Sequence, residues 1–141
     1  MPFVLDNSVT CGWLFENQAD QYTQAVASRL TVDQANAPML WTMELANVLR
    51  TACRRASLTA QKAQQMLEQI ARLPIDATHQ TASPAVLLAL SLRFDLSACD
   101  AAYLELALRL QQPIATRDRA LAEAARLAGV GTLNPEHTNT A

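Results

Sequence analysis

The 141-residue sequence lacks any apolar run near the roughly 20 residues that a transmembrane helix needs. It also lacks a basic segment ahead of an apolar one at its start, so no signal peptide is expected. Three cysteines, Cys11, Cys53 and Cys99, are odd in number and widely spaced, which argues against a disulfide framework or a zinc site. We therefore expect a cytoplasmic protein whose free thiols are buried.

A basic excess, which most nucleic-acid-binding proteins carry, is also missing: 11 basic residues stand against 13 acidic ones. Ten of the 11 are arginine, the side chain best suited to bidentate contact with phosphate. Two arginine clusters stand out, one at Arg50, Arg54 and Arg55 and one at Arg117 and Arg119. The net charge of −2 alone therefore leaves a nucleic-acid substrate open.

Short apolar segments alternate with helical patterns along the whole chain. Strands are predicted at 3–5, 37–40, 74–79, 113–116 and 130–133. Helices are predicted over about 20–31, behind a Thr42 cap, from near Thr59, over 84–93, from Ser97 and over 117–128. This alternation indicates an α/β fold, a three-layer α/β/α sandwich around a mainly parallel sheet of roughly five strands. Residues 1–133 are expected to form one domain and 134–141 a polar tail.

Four carboxylates fall at strand ends or helix starts, where parallel α/β sheets bind their ligands. They are Asp6, Glu44, Asp100 and Asp118. Each has an ordinary explanation: Asp6 as a turn residue, Glu44 as a complement to a helix dipole, Asp100 in a capping box with Ser97, and Asp118 as an N-cap.

Taken together, the four acids predict a different chemistry. Like charges at one edge of a sheet repel each other strongly unless cations lie between them. Oxygen ligands favour Mg²⁺ or Mn²⁺, ions that support hydrolysis of phosphodiesters. Without these four acids the chain has nine acidic residues against 11 basic ones, which is compatible with an RNA substrate.

Four segments resemble the PIN-domain family, most closely the VapC-type toxins of bacterial toxin–antitoxin pairs. They are VLDNSV at 4–9, MELANVL at 43–49, LSACDAAYLELA at 96–107 and PIATRDRALAEAARLAGV at 113–130. The resemblance covers nearly the whole chain in the family's order and spacing. It implies an endoribonuclease dependent on Mg²⁺ or Mn²⁺, in which a metal-activated water attacks the RNA.

The resemblance also implies roles for individual residues. Asp6, Asp100 and Asp118 would ligate the metal, with Glu44 acting through a water, and all four acids would be catalytic. Ser8, Asn47 and Thr116 match the family's supporting hydroxyl and amide residues, although a purely structural role is equally open for each. Asn7 stands where a small residue is common and Cys99 where an aromatic one is frequent.

The resemblance also implies binding partners for the protein, and two alternative functions stay open. RNA contacts are predicted at Arg50, Arg54, Arg117 and Arg119. By analogy with the family, we expect a homodimer and an antitoxin whose peptide tail covers the acids. The alternatives are an inactive PIN-like module that binds a partner and a haloacid-dehalogenase-like phosphatase, although Ser8 occupies the position of that family's second aspartate. His79 and His137 match no metal pattern and are expected at the surface or in the tail.

Overall fold

The computed structural model describes residues 1–136, and it shows an α/β domain in which a parallel sheet is flanked by helices. The order along the chain is β1 (Phe3–Leu5), α1 (Asn7–Leu14), a 3-10 turn (Glu16–Gln18), α2 (Gln21–Arg29), β2 (Ala35–Pro38), α3 (Leu40–Arg54), α4 (Ala60–Ala71), β3 (Ile75–His79), α5 (Pro84–Phe94), α6 (Ala98–Leu110), β4 (Ile114–Ala115) and α7 (Arg119–Ala128). His137 and the last part of the predicted tail lie outside the described residues.

The sheet has the strand order β3-β2-β1-β4, and all three strand pairs are parallel. Phe3, Val4 and Leu5 of the central strand β1 are fully buried, as expected for a strand with helices on both faces. Helix α6 packs against β1, β2 and β4, whereas α1 and α3 contact each other. This is the predicted three-layer α/β/α sandwich.

The predicted fifth strand at 130–133 is not a strand of the sheet among the described residues. Thr132 forms only one isolated parallel bridge, with Ile114. Gly129 and Gly131 have φ angles of +88° and +72°, left-handed values that interrupt an extended segment. The sheet therefore has four strands in place of about five.

The second strand lies two residues earlier than predicted, because the polar residue Asn36 is part of it. Asn36 is only 7% exposed, and both polar atoms of its side chain have hydrogen-bond partners. Its Nδ2 donates to Gln112 Oε1 at 3.0 Å, and its Oδ1 lies 3.0 Å from His79 Nε2. His79 is accordingly half-buried at the end of β3 and not fully at the surface.

Helix α1, directly after Asp6, was not predicted. Its sequence contains Val9, Thr10 and Gly12, all residues of low helix propensity, so tertiary packing stabilises it. A Cβ atom at Gly12 would lie 2.4 Å from Cγ2 of Thr23, which is fully buried on α2. The close approach of these two helices therefore requires glycine at this position.

Five of the other helices, α2, α4, α5, α6 and α7, have a side-chain N-cap. The side chains of Asp20, Thr59, Ser83, Ser97 and Asp118 each accept a hydrogen bond from a first-turn N–H. Helix α7 starts at Arg119, two residues later than predicted, because Asp118 is its N-cap.

The prediction that the thiols are buried is wrong for Cys99, which is exposed in the first turn of α6. Cys11 and Cys53 are half-buried, and all three cysteines are free. Within residues 1–136, no helix is both long and apolar enough to cross a membrane.

Candidate active site

The four acids come from four different elements. Asp6 lies between β1 and α1, and Asp118 lies between β4 and α7. Asp100 is in the first turn of α6. Glu44 is in the second turn of α3, one turn later than predicted. The reason is that α3 begins at Leu40, and Thr42 donates its hydroxyl hydrogen to the Met39 carbonyl instead of capping the helix.

The fold brings these acids close enough to interact electrostatically. The pKa of Asp100 is raised to about 6, first by burial and then by the charges of Asp118, Asp6 and Glu44, although a hydrogen bond with Ser97 lowers it. Four carboxylates that originate up to 112 positions apart in the chain therefore share one negative region.

Asp6 is the most buried of the four acids, with 7% of its surface exposed. Its Oδ2 accepts hydrogen bonds from Ser8 Oγ at 2.7 Å and from Thr116 Oγ1 at 2.8 Å. These two hydrogen bonds fix the orientation of the carboxylate.

The same two hydroxyls connect Asp6 to Asp118. Thr116 Oγ1 accepts from the Asp118 backbone N–H at 3.0 Å, and Ser8 Oγ accepts from the Arg117 N–H at 2.9 Å. Asp118 itself uses Oδ1 to cap α7 through Leu121 N at 2.9 Å. The β4–α7 loop and the β1–α1 loop are thus held together around the acids.

Glu44 is held from the opposite side. Its Oε1 accepts from the Tyr103 hydroxyl at 2.6 Å. Burial raises the pKa of Glu44 and the charge of Asp6 adds to this, while hydrogen bonds from Tyr103 and Asn7 lower it. Burial, the hydrogen bond to Glu44 and the surrounding acids also raise the pKa of Tyr103, so this phenol stays protonated and remains a donor.

The PIN-domain family model matches residues 3–127. The chain belongs to the PIN-domain family. PIN domains are in general metal-dependent nucleases, so a hydrolase activity on nucleic acid is indicated at this level. No curated protein shows a significant sequence match to the chain. Because the chain belongs to the PIN-domain family, the phosphatase alternative is dropped; only the position of Asp6 favoured it.

The donor set of this PIN domain consists of carboxylate and hydroxyl oxygens, which suit a hard divalent cation. Among the residues that the structure describes, no group of three or more His, Cys, Asp or Glu side chains is arranged to hold a metal ion. Mg²⁺, however, commonly binds through one or two carboxylates and completes its shell with water and substrate phosphate. Burial is the main cause of the raised pKa of Asp100, and the charges of Asp118, Asp6 and Glu44 add to it, so a bound cation would offset the repulsion among these acids.

The predicted RNA-contacting arginines occupy two kinds of position. Arg50 and Arg54 are exposed on α3, and Arg119 is exposed at the start of α7. The guanidinium of Arg117 instead contacts protein groups: its Nε donates to Ser8 O at 2.9 Å, its Nη2 also donates to Ser8 O, and its Nη1 donates to Gln18 O and Asp20 Oδ2. Arg117 thus ties the two loops of the site together.

Asn47, the third predicted supporting residue, is exposed on α3 one turn after Glu44. Its backbone carbonyl accepts from Thr51 Oγ1, which is an ordinary bond within a helix. Asn47 therefore lies near the acids, whereas Ser8 and Thr116 contact one of them directly.

Sequence reasoning missed two polar side chains of the site, Asn7 and Tyr103. Both contact Glu44. A signal for Tyr103 was present, because it follows Asp100 by three residues and so shares its helix face. For Asn7 the only signal was a polar residue where the family commonly has a small one.

Proposed function

We propose that this PIN domain is a metal-dependent endoribonuclease and that it is the toxin of a toxin–antitoxin pair, acting on RNA in the cytoplasm. The observation that supports this most is the meeting of Asp6, Glu44, Asp100 and Asp118 at one edge of a PIN sheet. In this proposal Asp6, Asp100 and Asp118 hold Mg²⁺ or Mn²⁺, and Glu44 acts through a water.

When bound, the ion supplies an activated water and charge stabilisation for hydrolysis of an RNA phosphodiester. The chain's own residues prepare the site for it. Ser8 and Thr116 orient the Asp6 carboxylate, and Asp118 is fixed at the start of α7. Arg50, Arg54 and Arg119 are exposed, which supports the proposal that they contact phosphates flanking the cut. Because Arg117 is occupied by protein acceptors, any contact of this residue with RNA is secondary to its role in holding the loops.

Removing the divalent ion tests the metal dependence. We expect the purified protein, freed of any antitoxin, to cut total cellular RNA with Mg²⁺ or Mn²⁺ and to stop when a chelator is added. Restoring Mn²⁺ should restore the same cut sites, because the site binds the ion through oxygen ligands. Cleavage measured by primer extension that persists in the chelator would contradict the proposal.

The second candidate is a PIN-like module that binds a partner and cuts nothing. The observation in its favour is that no three acids of the described residues are arranged for one ion. Calorimetric titration with Mn²⁺ separates the two functions, since an inactive module would show neither ion binding nor cleavage.

Inhibition by the antitoxin would follow from an antitoxin arginine that pairs with the acids and takes the place of the metal.

A homodimer is also proposed, and helix α5 is the surface that supports it. This 11-residue helix contains no buried residue and exposes the apolar side chains of Val86, Leu88 and Leu92. Apolar patches of this kind commonly mark protein interfaces. Because Arg93 is its only charged residue, two copies of α5 could pack together with little charge repulsion.

We expect Leu88→Glu to shift the protein from dimer to monomer, because a buried unpaired carboxylate is costly at an interface. Light scattering should then give the 15.4 kDa mass of a single chain. Leu127→Glu is the matched control: Leu127 lies on α7 and is 61% exposed, close to the 59% of Leu88. A Leu88→Glu protein that keeps the wild-type mass would rule α5 out as the interface.

A further inference from the structure

Glu44 is held by side chains from two other helices. Tyr103 of α6 is fully buried, and its hydroxyl donates to Glu44 Oε1 at 2.6 Å. This is a short, charge-assisted hydrogen bond. Because the ring is packed in the core, the position of the hydroxyl is fixed by the fold and not by the acid.

Asn7 approaches Glu44 from α1. Its side chain is 7% exposed, and its Nδ2 donates to the backbone carbonyl of Trp41 at 3.1 Å. Trp41 lies in α3 one turn before Glu44, so this bond ties the start of α3 to the residue next to Asp6. Asn7 therefore acts on Glu44 through the backbone of α3, the helix that carries this acid.

Stability alone does not explain Asn7. Its Oδ1 is buried and has no hydrogen-bond partner among the described residues, which is an unfavourable state for an acceptor. Asn36 provides the contrast, because it is equally buried and both its side-chain atoms are paired. Asn7 therefore resembles a residue retained for the site despite a cost to the fold.

The acids themselves explain why Glu44 needs to be held. Its carboxylate carries the same charge as Asp6 and Asp100, and a glutamate side chain is flexible. Repulsion from the other acids would favour rotamers that point into solvent. The Tyr103 hydroxyl on α6 opposes that rotation directly, and Asn7 on α1 fixes the start of the helix that carries Glu44.

We propose that Asn7 and Tyr103 are positioning residues that together hold Glu44 among the other acids, so that it can serve the divalent cation. The inference rests on the proposed function for its role with the cation. The holding contacts themselves are a property of the metal-free protein. Tyr103 and Asn7 act through Glu44 and have no contact of their own with the reacting atoms.

The first test is Mn²⁺ affinity, measured by calorimetry on Tyr103→Phe and Asn7→Ala. Loss of such supporting contacts typically weakens metal binding or activity about 10- to 100-fold, and we expect each variant to fall in that range. In a Glu44→Ala background the same two substitutions should have no further effect on affinity, since the group they position is gone. Asn36→Ala is the matched control, and it should lower the denaturant midpoint while leaving the Mn²⁺ affinity unchanged.

The second test is done in chelator, without metal or RNA. A double-mutant cycle of Tyr103→Phe with Glu44→Ala, followed by urea unfolding, should show that the two substitutions are not additive. Additive effects would overturn the inference, and so would variants that bind Mn²⁺ and cut RNA like the wild type. If the wild type neither binds Mn²⁺ nor cuts RNA, the proposed function fails, and the cycle alone then decides whether Glu44 is held.

Discussion

Asp6→Asn is expected to reduce RNA cleavage by more than about 100-fold, since loss of a mere supporting contact already costs about 10- to 100-fold. Asp6 follows the central strand and is the most buried of the four acids. Replacing its carboxylate by an amide removes one negative charge and one charged ligand from the centre of the site.

The substitution should leave the fold intact. Ser8 and Thr116 contact Oδ2 of Asp6, and hydroxyl groups can both donate and accept, so they can pair with an amide as well. Circular dichroism and the unfolding midpoint should therefore stay close to those of the wild type. The expected loss lies in kcat and in Mn²⁺ affinity.

Asp95→Asn is the matched control for this variant. Asp95 is exposed at the end of α5 in a left-handed conformation that asparagine adopts readily. The Asp95→Asn variant carries the same chemical change away from the four acids, and this protein should cut RNA at the wild-type rate. If Asp6→Asn and Asp95→Asn are equally active in an RNA-cleavage time course, Asp6 is no part of a nuclease site.

The sequence was sufficient to predict where the acids would meet. Asp6 and Asp118 each follow an apolar strand, and parallel strands end at one edge, so their meeting followed from topology. The N-cap roles of Ser97 and Asp118 followed from local spacing alone. These features depend on a few neighbouring residues and on the direction of the chain.

Features that depend on distant partners were not predictable in the same way. Helix α1 contains weak helix formers and is stabilised by the fit of Gly12 against Thr23. The buried Asn36 broke the apolar pattern of β2, and its partner Gln112 is 76 residues away. The hydrogen bond from Tyr103 to Glu44 likewise joins residues 59 positions apart. Local pattern cannot reveal contacts that only tertiary packing creates.

Asp100→Asn is expected to stabilise the metal-free protein at pH 7.5, although it should also impair cleavage. In the folded protein the pKa of Asp100 is about 6, against an ordinary value of 3.8, chiefly through burial and through Asp118 and Asp6. Between these two values the folded state binds a proton that the unfolded state has lost. The contribution of Asp100 to the free energy of unfolding is therefore fully present below about pH 4. It falls as the pH rises toward 6 and stays low above that pH.

The size of the effect is limited by solvent. A shift of about two pKa units corresponds to about 3 kcal/mol, but Asp100 is only partly buried and its charge is screened, so we expect about 1 kcal/mol. For a chain of this length that is an increase of about 4 °C in Tm. Urea unfolding in chelator should show the gain at pH 7.5 and little gain near pH 4.

Adding Mn²⁺ should make the wild type more stable than Asp100→Asn, which reverses their order in chelator. An ion that binds only the folded state stabilises it in proportion to its affinity, and the wild type keeps the carboxylate that the variant lacks. The wild type should therefore gain Tm with Mn²⁺ while Asp100→Asn gains less. If the variant is less stable than the wild type in chelator at pH 7.5, the ionised Asp100 is not destabilised by its burial and its acidic neighbours. The cluster would then lack the unneutralised charge on which the metal proposal depends.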